Sequence, residues 1–340
     1  MSRINKIAQL QLLVLLFPLV LGAQAPQNAA PQPQANPAKV DSSQQQKQAP
    51  VPQTTLLKKT VAFITLDCMD GNQQVEDRAT VFFVGVPDAR LGKNEFVYLV
   101  TNRHVAQPEK EHRKLRVTKQ TLRLNLRKES NGIAAAEGTI PLDTHWYFPK
   151  DDAVDLAVLP LAPDLNKFDF QVVPISFLAT KDVVASSMIA EGDYVLFCGF
   201  FYQYPGQKKI EPIIRQGILA MMPDEMLNAT LGKPGRVYLA DAHVFLGNSG
   251  SPMFVNIGGY RNGTMMIGGF SYRLLGVVSG YYYETEDLRL EVATTLTGTA
   301  NANSGISIVV PADELKELID SPELQEQRDA EAQRYLHQGH

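Results

Sequence analysis

Gly247-Asn248-Ser249-Gly250-Ser251-Pro252 sets a serine between two glycines, shortly after the apolar run Val237-Tyr238-Leu239-Ala240. Such a segment suits acyl transfer. The first glycine lets the chain turn so that its own N–H and that of Ser249 converge on one point, and the second lets the backbone pass close to a substrate with no Cβ in the way. A serine nucleophile needs a base within hydrogen-bond reach, and the base needs an orienting carboxylate. His104 is the best base. It lies in Tyr98-Leu99-Val100-Thr101-Asn102-Arg103-His104-Val105-Ala106, where an apolar strand runs into a short polar turn that leaves an imidazole aimed yet near solvent. Asp155 is the best carboxylate, because it heads the apolar stretch Leu156-Ala157-Val158-Leu159-Pro160-Leu161. An acid there is partly desolvated, which makes sense if it accepts an N–H from histidine. Asp151 and Asp152 compete for that role but precede the strand in a polar turn. Taken singly, the three also read as a loop serine, a strand-ending histidine and a strand cap; in the order His104, Asp155, Ser249 they form a set.

The elements that must position this set read as many short strands. The first group is Thr60–Leu66, Ala79–Val86, Phe96–Thr101, Thr121–Arg127, Ala136–Leu142 and Asp155–Leu161. The second is Asp193–Phe201, Ile213–Met222, Val237–Phe245, Pro252–Val255, Leu274–Tyr283 and Gly305–Val310. Leu122, Leu124 and Leu126 alternate with Arg123, Asn125 and Arg127, while Val81–Val84 and Val195–Cys198 are continuous apolar runs suited to strands buried on both sides. Six strands, a connector (162–191) and six more predict an all-β domain of two packed six-stranded antiparallel β-barrels, about 56–161 and 192–310, since closure removes exposed edges. The histidine and aspartate then fall in the first barrel and the serine in the second, so the site would lie between them. Pro311-Ala312-Asp313-Glu314 opens a C-terminal helix over 311–320 with an apolar stripe of Leu315, Leu318 and Ile319. Ser321-Pro322-Glu323 caps a second, polar helical tail over 321–340.

The N-terminus reads as an export signal: Arg3 and Lys6 precede the apolar stretch Leu10 to Leu21, with small residues at Leu21-Gly22-Ala23. Cleavage after Ala23 gives a secreted or periplasmic chain with no stable membrane span. The rival reading, a retained anchor, has an apolar run shorter than the roughly 20 residues a span needs. The Gln/Pro/Ala-rich segment 24–55 is expected to be a disordered linker. The formal charge of −4, with no basic tail or stripe, gives no electrostatic support for nucleic-acid binding. Cys68 and Cys198 sit on different predicted strands in different halves; a bridge and two buried free thiols are both compatible with that spacing. No metal-ligand spacing occurs, and no cofactor is implied.

Five pieces in order carry a family resemblance: Thr101-Asn102-Arg103-His104-Val105, Asp155-Leu156-Ala157-Val158-Leu159, Gly247 to Pro252, Leu275-Gly276-Val277-Val278-Ser279-Gly280, and Gly305 to Pro311. The chain resembles trypsin/chymotrypsin-fold serine peptidases, nearer their bacterial Deg-type and glutamyl-endopeptidase-like branches. The resemblance implies a serine endopeptidase acting on protein or peptide substrates. His104 would be the base, Asp155 its orienting acid, Ser249 the nucleophile, and the N–H groups of Gly247 and Ser249 the oxyanion hole. Ser279, Gly280 and Tyr281 would pair with an extended substrate, and His243 would lie where the specificity pocket has its floor. Ser251 stands where many relatives have glycine, and Val278 where the glutamyl branch usually has histidine, so a glutamate preference is unsupported. Tyr281 would narrow the pocket entrance. No peptide-binding domain trails the strands, which argues against regulation by one. Two alternatives share the pattern: a catalytically inactive binding protein of the same fold, and an esterase using the same three residues.

Overall fold

The computed structural model describes residues 51–337 except 112, 262–263, 267–270 and 292–294. The expected signal peptide and most of the expected linker lie outside these residues. The linker's expected end at 55 falls inside a short helix, α1 (Gln53–Lys58), whose Leu57 is buried. Among the described residues, no helix is long and apolar enough to cross a membrane.

The architecture is mostly β. Six strands make the first half: β1 (Val61–Asp70), β2 (Gln73–Pro87), β3 (Glu95–Thr101), β4 (Arg116–Ser130), β5 (Ile133–Ile140) and β6 (Ala157–Pro160). They are ordered β5-β4-β1-β2-β3-β6, and Val173–Pro174 adds a short parallel pair to β2. The second half is a closed barrel of β7 (Tyr194–Gly199), β8 (Ile213–Met221), β9 (Tyr238–Asp241), β10 (Pro252–Asn256), β11 (Tyr272–Glu291) and β12 (Thr295–Pro311), ordered β7-β8-β9-β12-β11-β10. Every expected strand is present. Two details differ from the sequence reading. The first sheet stays open, since its end strands β5 and β6 share no ladder; β6 is four residues long and is met instead by an isolated bridge from Tyr147 to Val158. And β11 and β12 run far past the barrel as a two-stranded ribbon.

The alternation in β4 is borne out: Leu122 and Leu124 are buried against Ile64, Leu66, Val81 and Phe83. A second apolar cluster joins the halves, with Phe82, Tyr98 and Val158 from the first sheet meeting Leu196, Phe254 and Val277 from the barrel. Cys68 and Cys198 are free and buried. Burial pushes Cys68 up to about 11, with Asp77 and Asp67 adding to it, and burial pushes Cys198 up to about 12. Neither thiol is a ready nucleophile.

Helix α3 (Lys181–Ser186) lies in the connector, and two helices close the chain, α4 (Ala312–Ile319) and α5 (Pro322–His337). The stripe Leu315, Leu318 and Ile319 is buried as expected, but α5 is no free tail. Its Leu324 and Ala332 join the inter-half cluster, and Arg328, only 9% exposed, donates to Tyr98 Oη (2.9 Å) and to Ile319 O (2.8 Å). Truncating Arg328 would leave the Tyr98 hydroxyl and that carbonyl buried without a donor. Arg328→Ala is therefore expected to lower the unfolding free energy by about 2–3 kcal/mol, read as a lower urea midpoint at unchanged slope; an unchanged midpoint would mean that the Arg328 hydrogen bonds add nothing to stability.

Candidate active site

His104 is carried by a single helical turn, α2 (Arg103–Ala106), directly after β3. The turn is tied to the segment before β6. Asn102 Nδ2 donates to Asp155 O (2.9 Å), and the Arg103 guanidinium donates to Pro149 O (2.7 Å) and Val154 O (3.3 Å). These bonds bring two pieces about fifty residues apart into one geometry. The His104 backbone N–H donates to Asp155 Oδ1 at 3.0 Å, and His104 Nδ1 lies 2.7 Å from Asp155 Oδ2. The carboxylate is 1% exposed and the imidazole 27%. With Nδ1–H committed to the carboxylate, the neutral ring keeps its lone pair on Nε2.

Burial works against the imidazolium, and the charge of Asp155 with its hydrogen bond outweighs it, so the His104 pKa is raised above the ordinary value. Burial likewise opposes ionisation of Asp155, but His104, Ser279 and the His104 backbone N–H together hold its pKa below the ordinary value. The Ser279 hydroxyl supplies the third donor to the Asp155 carboxylate, at Oδ2, from strand β11 of the barrel, and Thr230 Oγ1 lies 2.7 Å behind it. The two competing acids are engaged elsewhere: Asp152 pairs with Lys233, and Asp151 Oδ1 accepts from Ala153 N.

The loop around Ser249 is pinned by its carbonyls. Thr80, fully buried in β2, donates its hydroxyl to Gly247 O (2.8 Å) and its N–H to Ser249 O (2.9 Å). The same hydroxyl accepts from Phe200 N (2.8 Å), and Thr101 Oγ1 donates to Thr80 O (3.0 Å). Asn248 closes the loop from inside, accepting from Phe245 N at 2.8 Å and donating to Phe200 O at 2.7 Å. Gly247 and Gly250 have φ of +89° and +81°. A Cβ at Gly247 would fall 2.4 Å from the Phe200 ring, and one at Gly250 would fall 2.1 Å from Thr80 O. With these carbonyls held inward, the N–H groups of Gly247 and Ser249 make no hydrogen bond among the described residues. The Ser249 hydroxyl makes one, a long 3.4 Å contact to Ser279 O, and none to His104. It is weakly held, and such bonds often tighten only around a bound substrate.

The structure thus brings His104, Asp155, Ser249, Gly247 and Ser279 together. Gly280 follows them, covered by Thr230, whose Oγ1 would be 2.8 Å from a Cβ placed there. His243 is exposed, rests against Gly305 and stacks with Phe245 at 6.4 Å between ring centroids. Tyr281 packs on Tyr283 with centroids 4.8 Å apart, and their hydrogen bond, with burial, pushes its phenol up to about 12. Ser251 is fully buried and its Oγ has no partner. Beside His104 a cleft of about 900 Å³ is lined by Asp77, Arg103, Asp152, Thr230 and Lys233. On the other side of the loop a hollow of about 190 Å³ is lined by Phe200, Phe245, Leu246 and Tyr281. The sequence reading missed Thr80, Thr101 and Thr230. Thr80 did carry a signal: it is a single hydroxyl inside the apolar run Ala79 to Val84, and a buried hydroxyl needs a partner.

No protein-family model and no curated protein matches the chain. Among solved structures, the chain is similar to the MamO protease domain from Magnetospirillum magneticum in its apo form. That likeness covers 79% of this chain and 100% of that one, at 13% identity and a TM-score of 0.42. It is also similar to Deg5, over 77% of this chain and 88% of that one, at 16% identity and a TM-score of 0.41. Likenesses this distant concern the course of the chain alone.

Removing the Thr80 hydroxyl while keeping its shape would leave Gly247 O and Phe200 N–H buried without partners. Thr80→Val is expected to cost about 2 kcal/mol of stability and Thr80→Ser well under half of that, measured by thermal unfolding. Equal stability of both variants and wild type would show that the loop is held by other contacts.

Proposed function

We propose that the chain is a serine peptidase of the exported kind, cleaving peptide bonds through Ser249, His104 and Asp155. The observation that carries the reading is the pairing of a preset His104–Asp155 couple with a loop whose two N–H groups, Gly247 and Ser249, are left unbonded. In this mechanism His104 Nε2 takes the Ser249 proton as Oγ adds to the scissile carbonyl. Asp155 keeps the ring in the right tautomer and stabilises the imidazolium. The tetrahedral oxyanion sits on the two N–H groups, and collapse passes the proton from His104 to the leaving amine, leaving an acyl-enzyme that water hydrolyses by the same steps. Protein and peptide substrates are proposed, reached in the periplasm or outside the cell.

One observation favours a second reading, a binding protein that keeps the fold without chemistry: the Ser249 hydroxyl points to Ser279 O, not to His104. A fluorophosphonate probe separates the two. The wild type is expected to label at one serine and Ser249→Ala not at all; equal labelling of both, or of neither, contradicts the peptidase reading. Comparing ester with peptide turnover then tests the esterase alternative.

The raised pKa of His104 sets the pH dependence. The base must be neutral, so kcat/KM is expected to fall as pH drops through a value above the ordinary 6.5. Asp155→Asn removes the charge and the hydrogen bond that do most to raise that pKa, leaving burial, which lowers it, against the smaller pull of Asp77. The acid limb should then move down while kcat falls by about 10,000-fold. An acid limb that does not move would mean that His104 is not the titrating base.

A further inference from the structure

β11 outruns the barrel. It pairs with β10 only from Tyr272 to Val277, whereas its ladder with β12 continues to Glu291↔Thr295. Register shifts between Val278 and Gly280 and between Tyr281 and Tyr283 bend the strand at the barrel rim; beyond them, Tyr283↔Asn303 to Glu291↔Thr295 is uninterrupted. Val278 N–H donates to Ser251 O, and Val278 O accepts from Gly250 N. Past that residue, no backbone group among the described residues pairs with the edge of β11 opposite β12.

The proposed reaction centre lies at the start of this edge, where Ser249 Oγ is 3.4 Å from Ser279 O and Ser279 Oγ holds Asp155. From Ser279 to Glu291 the free edge spans about 40 Å at roughly 3.3 Å per residue. Such an edge is a template for another chain. A second copy is a poor occupant, because Glu284, Glu286, Asp287 and Glu291 stand against the single Arg289, and pairing two such segments would bring like charges together. A polypeptide held with its scissile bond at Ser249 has the edge directly in its path.

We propose that β11 is an acceptor strand for the substrate main chain well beyond Ser279 to Tyr281, which makes the substrate class long, extended segments of unfolded polypeptide. Recognition runs through backbone N–H and C=O groups and so tolerates many side chains. This inference rests on the peptidase reading and adds to it: three residues of edge serve a short peptide, and only a long one can use the ribbon.

The test uses internally quenched peptides that share one scissile sequence and are lengthened by up to ten residues on either side. Lengthening on one side is expected to raise kcat/KM at least about tenfold, through hydrogen bonds of modest net worth added in series. N-methylation along that extension should cut kcat/KM at alternate residues, because only every second residue turns its N–H to the edge. A variant in which Asn-Gly replaces residues 286–300, closing the Thr285↔Asn301 pair with a tight turn, should lose the length dependence. Its short-peptide turnover and fluorophosphonate labelling should match the wild type. The methylation scan needs only wild-type protein, so it holds if that variant fails to fold. Equal kcat/KM at all lengths with labelling intact overturns the acceptor strand alone, whereas absent labelling overturns it together with the peptidase reading. A wild-type dimer that becomes monomeric in the shortened variant, with turnover indifferent to length, assigns the edge to a second copy and also overturns the proposal.

Discussion

A carboxylate with 1% of its surface exposed must be matched by donors or give up its charge. Asp155 is matched by three: the His104 N–H, the His104 ring and the Ser279 hydroxyl. The first two come from the turn after β3, the third from β11, so an ionised Asp155 requires the open sheet and the closed barrel to meet at one place. Thr80 makes the complementary tie. It reaches from β2 into the barrel and fixes the carbonyls of Gly247 and Ser249. Asp155 orients the imidazole, Thr80 orients the serine loop, and each tie draws on both halves.

The same logic explains why the apolar cluster between the halves matters to the site. Phe82, Tyr98, Phe254 and Val277 bring β2, β3, β10 and β11 into contact. Those strands carry or flank Thr80, His104, Ser249 and Ser279. Arg328 adds a polar tie on the far side of β3, so the C-terminal helix braces the strand that ends at the histidine turn. Burying a guanidinium there is tolerable because a phenol oxygen and a helix-end carbonyl receive its protons.

Much of this was legible in the residues, and the exceptions have physical reasons. Alternation and apolar runs located the six long strands of each half but not the short pair Val173–Pro174, and the apolar stripe of α4 was plain, because burial on one face imposes a period that sequence records. His104, Asp155 and Ser249 were legible as candidates by their order and by the strands they adjoin, since each alone is an ordinary strand-end residue. Closure of the first sheet was not, since it depends on the lengths of β5 and β6 and on which strand ends find partners. The ribbon beyond Tyr283 was missed although Leu288 and Leu290 alternate with Asp287, Arg289 and Glu291 at a strand's period, because that short run sits among acidic and threonine-rich residues. Thr80 acts across more than a hundred residues of separation and Thr230 across 49, and no local pattern names such a partner.

The proposed chemistry needs the carbonyls of the Ser249 loop held so that two N–H groups can meet an oxyanion, and a crystal structure with a peptide boronic acid is the direct test. The expected result is a covalent bond from Ser249 Oγ to boron, with one boronate oxygen roughly 2.7–3.1 Å from both Gly247 N and Ser249 N, and Thr80 still bonded to Gly247 O. A boronate oxygen directed to solvent, or a Ser249 hydroxyl left unmodified against Ser279 O, would contradict it.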